Sequence, residues 1–130
     1  VSSPEEIHLL VRLLDHVQAR GGRYSWGTGG TPGVTGWYPV DAKDTPVWNI
    51  NIGAGPGKGR LYFIFGEYAT RHLASGRVVS YADAVSSVVP FAEKITEIKS
   101  NDWKGWASVP LALGAAYADA VLTAAQAAIS

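Results

Sequence analysis

Residues 47–65 read VWNINIGAGPGKGRLYFIF, and this stretch decides the fold. In its first half the apolar residues Trp48 and Ile50 alternate with asparagines, which predicts a strand with one apolar and one polar face. A glycine-rich connection follows, and the aromatic run 60–65 has the composition of a second strand. Two such runs joined by glycines predict an antiparallel hairpin.

A helix is predicted before this hairpin. Ser3 and Pro4 suit the N-cap and the first helical position, and Gly21-Gly22 should end the helix. The opposite, polar side, which carries Arg12 and His16, is expected to face solvent. Apolar residues at helical spacing predict the buried face: Ile7, Leu10, Val11, Leu14 and Val17.

Between the helix and the hairpin, short β-prone runs flank a glycine-rich segment. Residues 23–26 predict a strand, and 27–36 predict a loop because five of its ten residues are glycine and one is proline. Trp37 and Tyr38 should open another strand, which Pro39 should cut short.

The second half of the chain has mainly helical spacing. Helices are expected over 67–75, from Ser80, from Pro90 after a break, and over 114–129. A short extended piece is expected over 107–111. Sequential strands without intervening helices favour an antiparallel sheet. The prediction is therefore an α+β fold with a sheet of three to four strands covered by helices.

Composition limits the class of protein. A chain of 130 residues with 47% hydrophobic and 17% charged residues predicts a single compact domain, residues 1–130, that folds alone. The start at Val1 and the lack of methionine indicate a domain excised from a longer chain. The absence of cysteine excludes disulfides and thiolate metal sites. No membrane span is expected, and a cytoplasmic location is predicted.

The neutral net charge hides an asymmetry. Residues 20–77 carry seven basic and three acidic residues, a net charge of +4, whereas the rest carries four basic and eight acidic residues. The middle of the chain is therefore where an anionic partner is expected.

Aromatic residues are the strongest functional signal, with five Trp, six Tyr and three Phe. Trp48, Phe63 and Phe65 are assigned to the core, but a domain of this size cannot bury all fourteen rings. Rings and cations that share a sheet face and its loops are typical of surfaces that bind nucleic acid. The predicted ligand-binding residues are Arg23, Trp26, Trp37, Tyr38, Lys43, Arg60, Tyr62, Arg71, His72, Trp103, Lys104 and Trp106.

Motifs for known chemistry are incomplete. Lys58 follows a glycine, but the spacing, the missing hydroxyl and the following strand do not fit a phosphate-binding P-loop. His8 and His16 are eight residues apart, whereas zinc-binding helices use four-residue spacing. Catalytic residues, metal ligands and cofactors are therefore not predicted.

The leading hypothesis is a non-enzymatic recognition module that binds an anionic partner, most plausibly nucleic acid, through the sheet and loop 27–36. One alternative is a small-molecule or enzymatic pocket under that loop, lined by Glu67, His72, Tyr62 and Arg60. Another is a protein-interaction or homo-oligomerisation domain that uses the alanine-rich last helix or exposed Trp103 and Trp106. Its partner would be a protein or a covalently attached effector domain.

Overall fold

The computed structural model describes residues 4–27, 33–40, 43–51, 59–65, 77–100 and 106–129. These residues form an α+β fold in which an antiparallel sheet of five strands is covered on one face by helices. The elements are α1 Pro4–Ala19, β1 Arg23–Trp26, β2 Gly33–Val40, β3 Lys43–Asn51, β4 Arg60–Ile64, α2 Arg77–Ser86, α3 Val89–Ser100, β5 Trp106–Pro110, α4 Leu111–Ala116 and α5 Ala118–Ile129.

The strands lie in chain order, β1-β2-β3-β4-β5, and each is antiparallel to its neighbour. The predicted hairpin is β3–β4, in which Trp48 pairs with Phe63 and Ile50 with Leu61. The sheet has one strand more than the predicted maximum, because the short piece near residue 107 pairs with β4 along its whole length.

The prediction of a loop over 27–36 was wrong in its second half, since β2 begins at Gly33 and continues through Pro39. Glycine is tolerated in this strand because the partner strand supplies a large side chain. A Cβ on Gly36 would overlap the Trp48 indole, which lies over that position from β3. The indole of Trp48 therefore fills the space that a side chain at position 36 would occupy.

The buried face of α1 differs from the predicted one. Leu9, Leu13 and Val17 are fully buried, whereas Ile7 and Val11 are 49% and 46% exposed. Leucines occur on two adjacent sides of this helix, so its apolar periodicity does not select one side. The side that packs against the sheet also buries His16. Its burial is possible because both ring nitrogens have hydrogen-bond partners. Gly21, with φ of 76°, follows the end of α1.

The helical second half follows the prediction in outline. The break at Pro90 is confirmed, because α2 ends at Ser86 and α3 begins at Val89. The last predicted helix is two helices, α4 and α5, divided at Tyr117. The predicted helix over 67–75 lies outside the described residues.

The core lies between the helices and one face of the sheet, the inner face. Trp48, Phe63 and Phe65 are buried there, as predicted. The Phe91 ring of α3 makes a tilted contact with the Phe63 ring, and the Tyr81 hydroxyl of α2 donates a hydrogen bond of 2.7 Å to the Val47 carbonyl. None of the described helices has the length and apolar character needed to cross a membrane.

Candidate functional site

The opposite face of the sheet carries polar, aromatic and basic side chains. Strand register places these residues on one side, alternating with the buried residues of the inner face. All are half-buried or exposed. We call this surface the outer face, and define it as Arg23, Ser25, Thr35, Trp37, Asn49, Asn51, Arg60, Tyr62 and Ser108.

Five of these residues form one row across all five strands. Direct pairing joins Ser25 to Thr35, Thr35 to Asn49, Asn49 to Tyr62 and Tyr62 to Ser108. The Asn49 amide donates a hydrogen bond of 2.8 Å to the Thr35 hydroxyl. At the usual strand spacing the row is about 19 Å long. An extended ligand could lie along it and meet hydroxyl and amide groups as well as the Tyr62 ring.

One corner of the outer face combines an aromatic ring with a cation. The Arg23 guanidinium lies 4.8 Å from the centroid of the Trp37 ring, and Trp37 Nε1 donates a hydrogen bond of 3.0 Å to the Ser25 hydroxyl. The same guanidinium donates to an Asp44 carboxylate oxygen at 2.6 Å, and both side chains are about half exposed. Solvent screening makes such a pair weak, so a phosphate can compete with Asp44 for Arg23.

The second cation lies on β4 at the other side of the row. The Arg60 guanidinium donates a hydrogen bond of 2.8 Å to the Ser108 hydroxyl on β5. The hydroxyl is a neutral group, so this hydrogen bond does not neutralise the charge of Arg60. Tyr62 lies two residues along the same strand, so its ring is on the same face as Arg60.

Two predicted site residues lie on the inner side of the sheet. Trp26 is 55% exposed, but it pairs with buried Val34 and its ring makes an edge contact with Tyr24 on the inner side. Tyr38 is fully buried. Neither side chain therefore contributes to the outer face.

The remaining predicted residues are placed only in part. Lys43 belongs to β3 and Trp106 to β5, but their side chains lie outside the described part of the structure. The backbone and side chains of Arg71, His72, Trp103 and Lys104 also lie outside it, as does Glu67 of the alternative pocket. The alanine-rich face of α5 packs into the domain itself, with Ala124, Ala125 and Ala128 buried.

Behind the outer face, a hydrogen-bonded chain connects the sheet to α1 and α5. Trp48 Nε1 donates to the Tyr38 hydroxyl at 2.9 Å, and that oxygen is 2.7 Å from His16 Nδ1. His16 Nε2 is 3.2 Å from Gln126 Oε1, which also accepts a hydrogen bond of 2.6 Å from Arg20 Nε. This hydrogen-bonded chain of side chains runs from the core to a surface groove, which lies between α1 and α5.

The donors in this chain fix the tautomer of His16. Arg20 can only donate, so Gln126 presents its oxygen and His16 Nε2 must carry a hydrogen. The Tyr38 oxygen accepts from Trp48, and its own hydrogen is directed to His16 Nδ1. His16 is therefore a neutral imidazole with Nε2–H.

Burial is the main cause of the pKa shifts of His16 and Tyr38. Desolvation and the charge of Arg20 lower the pKa of His16, against a smaller opposing effect of the Gln126 hydrogen bond. Desolvation also raises the pKa of Tyr38 to about 12, so its hydroxyl stays protonated and can donate. Arg12 and Asp119 are the other charged groups at the groove end of the chain.

Stability is expected to fall when the pH drops below about 6.5, the usual pKa of histidine in an unfolded chain. The unfolded chain takes up a proton there, whereas folded His16 does so only at lower pH because its pKa is lowered. The loss of stability extends from pH 6.5 down to the lowered pKa of folded His16. The free energy of unfolding falls there by at most about 1.4 kcal/mol per pH unit. Urea unfolding between pH 7.5 and 5.0 measures it.

The matched variants are His16→Gln and His8→Gln, the second on an exposed position of the same helix. The first should flatten the slope between pH 6.5 and 5.0, and the second should leave it as in the wild type. Equal slopes for wild type and His16→Gln would contradict this assignment.

Some residues of the site had no clear sequence signal. Ser25, Thr35 and Ser108 are common polar residues that become a row only through strand register, and Arg20 and Gln126 meet across 106 residues of sequence. Within the described residues, no group of three or more His, Asp or Glu side chains could hold a metal ion. Comparisons of the chain with protein-family models, with curated proteins and with solved structures each found no match.

Proposed function

We propose that the protein is a non-enzymatic recognition module that binds single-stranded nucleic acid on the outer face of its sheet. The observation that carries the proposal is the placement of Trp37, Tyr62, Arg23 and Arg60 on one surface, while the described helices pack on the other. Rings stack on bases and guanidinium groups contact phosphates in surfaces of this kind.

The spacing of the two rings supports an extended single strand as the ligand. Trp37 is on β2 and Tyr62 on β4, two strand spacings or about 10 Å apart across the sheet. The row from Ser25 to Ser108 includes Tyr62 and runs beside Trp37, and it supplies hydroxyl and amide groups to base edges. Bases of a single strand are free to stack on both rings, unlike those enclosed in a duplex.

The charge of the outer face supports a modest, salt-dependent affinity. Arg23 and Arg60 are the described cations of this surface, and Asp44 partly neutralises the first. The other described basic residue of the positive middle segment with a placed side chain, Arg20, lies at the groove between α1 and α5. Two phosphate contacts are therefore the basis for the expected salt dependence.

Binding of a fluorescein-labelled oligothymidylate should weaken as salt is raised. With two phosphate contacts, the slope of log Kobs against log salt concentration is expected to be about −1.4 for a single strand. Arg60→Gln should reduce that slope to about −0.7, because one contact is lost. Fluorescence anisotropy in about 25 to 200 mM KCl measures both slopes.

Two comparisons make this experiment decisive. Asp44→Asn should strengthen binding, because it releases the Arg23 guanidinium. Oligouridylate and duplex DNA serve as parallel ligands to distinguish RNA, DNA and duplex binding. No binding of either single strand at 25 mM salt, or binding without salt dependence, would overturn the proposal.

A further inference from the structure

A second polar surface lies on the helical side of the domain, between α1 and α5. Arg12 and His16 lie one turn apart on α1, and Arg20 directly follows the end of that helix, so the three residues form one stripe. This stripe lines a groove of about 450 Å³ opposite Thr123 and Gln126 of α5. The helix periodicity predicts a solvated side here, and α5 lies beside it and buries His16, whereas Arg20 stays exposed.

The groove offers mainly hydrogen-bond donors. His16 presents its Nε2–H towards Gln126 because Tyr38 occupies Nδ1 on the core side. Arg20 donates to Gln126, a neutral group, and no carboxylate among the described residues pairs with it. The two guanidinium groups and the imidazole N–H thus line one space, and Asp119 is the acidic residue among the described residues that line it.

Asp119 can be displaced by an incoming anion. Its carboxylate accepts from the Arg12 guanidinium at 2.8 Å, but its side chain is 94% exposed. An exposed pair of this kind contributes little stability. A dianion that contacts both arginines would form two ion pairs while it replaces one.

The groove continues into a second space of different character. An adjoining space of about 400 Å³ shares Arg12 and Asp119 with the first, and its other lining residues are alanines and the exposed Tyr117. The exposed Tyr117 ring offers a flat surface to the organic part of a ligand whose charged group lies at Arg12.

We propose that this groove binds a small phosphomonoester, with its organic group over Tyr117 and the neighbouring alanines. Its phosphate is held by Arg12, Arg20 and His16 Nε2–H, and it replaces Gln126 Oε1 as the acceptor of the hydrogen bonds from His16 and Arg20. The guanidinium fork matches phosphate oxygens in pairs, and the combined space accepts a small molecule. This site is separate from the outer face and does not depend on nucleic-acid binding.

Inorganic phosphate tests the charged half of the site. NMR of the imidazole C–H signals should show a saturable shift at His16 relative to chloride at equal ionic strength, and a rise in the pKa of His16. The signal of His8, exposed on the same helix, provides the internal reference. A His16 signal that responds equally to phosphate and chloride would overturn the proposal.

Three variants locate the binding. Arg20→Gln and Arg12→Gln should each weaken phosphate affinity by about tenfold, the usual effect of losing a charged hydrogen bond. Asp119→Asn should strengthen it about threefold because competition for Arg12 is removed. Lys94→Gln, at an exposed position of α3, should leave it unchanged. Unchanged affinity in both Arg12→Gln and Arg20→Gln would overturn the site.

Phenyl phosphate tests the organic half. It should bind more tightly than inorganic phosphate by about fivefold, from the apolar area that it covers beside Tyr117. Tyr117→Leu should reduce this difference and leave the affinity for inorganic phosphate unchanged. Equal affinities of the wild type for the two ligands would overturn the assignment of a phosphomonoester.

Discussion

Replacing Tyr38 by phenylalanine is expected to lower the free energy of unfolding by about 2–6 kcal/mol, although the two side chains have nearly the same shape. The lost hydroxyl accepts from Trp48 Nε1 and donates to His16 Nδ1 in the buried interior. Its removal leaves one buried donor and one buried acceptor without partners, and each costs about 1–3 kcal/mol. Urea unfolding at pH 7.5, with an unchanged dependence on denaturant, measures the loss.

Tyr24→Phe is the matched control. Tyr24 is half-buried beside the core, on the same face of the sheet, and its hydroxyl has no hydrogen bond among the described residues. The change there is expected to stay within about 0.5 kcal/mol. Similar losses in the two variants would show that the hydroxyl of Tyr38 does not join α1 to the sheet.

Local patterns were enough to predict the parts of the fold with short sequence separation. The alternation in β3, the glycine-rich connection and the aromatic run of β4 defined the central hairpin, and Pro90 marked the break between α2 and α3. In each case the deciding residues lie within one element or at its ends, where backbone preference acts directly.

Other features depend on partners far along the chain. Gly33 and Gly36 suggested a loop, but they belong to a strand because Trp48 fills the space beside Gly36. His16 was expected to face solvent, and it is buried because Tyr38 and Gln126 satisfy both ring nitrogens. Tertiary contacts override local preference at such positions.

The candidate site shows the same division. The polar side of β3 was visible in the alternation of Asn49 and Asn51, and the rings and cations of β4 were visible in composition. Their arrangement as a row required the pairing of all five strands, and the separation of Trp26 from Trp37 required the register of β1 with β2. Composition identified the groups, while register determined which of them share a face.

The affinity for single-stranded oligonucleotides should depend strongly on the two rings of the outer face. Trp37→Ala and Tyr62→Ala are each expected to weaken binding by about 5- to 150-fold, because stacking contributes about 1–3 kcal/mol per base. The loss should be nearly independent of salt, since neither side chain is charged, and this distinguishes it from the loss in Arg60→Gln.

Trp26→Ala provides a tryptophan control on the same pair of strands. Trp26 is more than half exposed, but it lies on the inner side of β1. Its removal should therefore leave the affinity within about twofold of the wild type. Fluorescence anisotropy in about 50 mM salt measures the affinities of all three variants for the oligonucleotide. Circular dichroism first confirms that each variant is folded. A loss for Trp26→Ala equal to that for Trp37→Ala would contradict binding on the outer face, because the two residues lie on opposite sides of the sheet and at opposite ends of the β1–β2 pair.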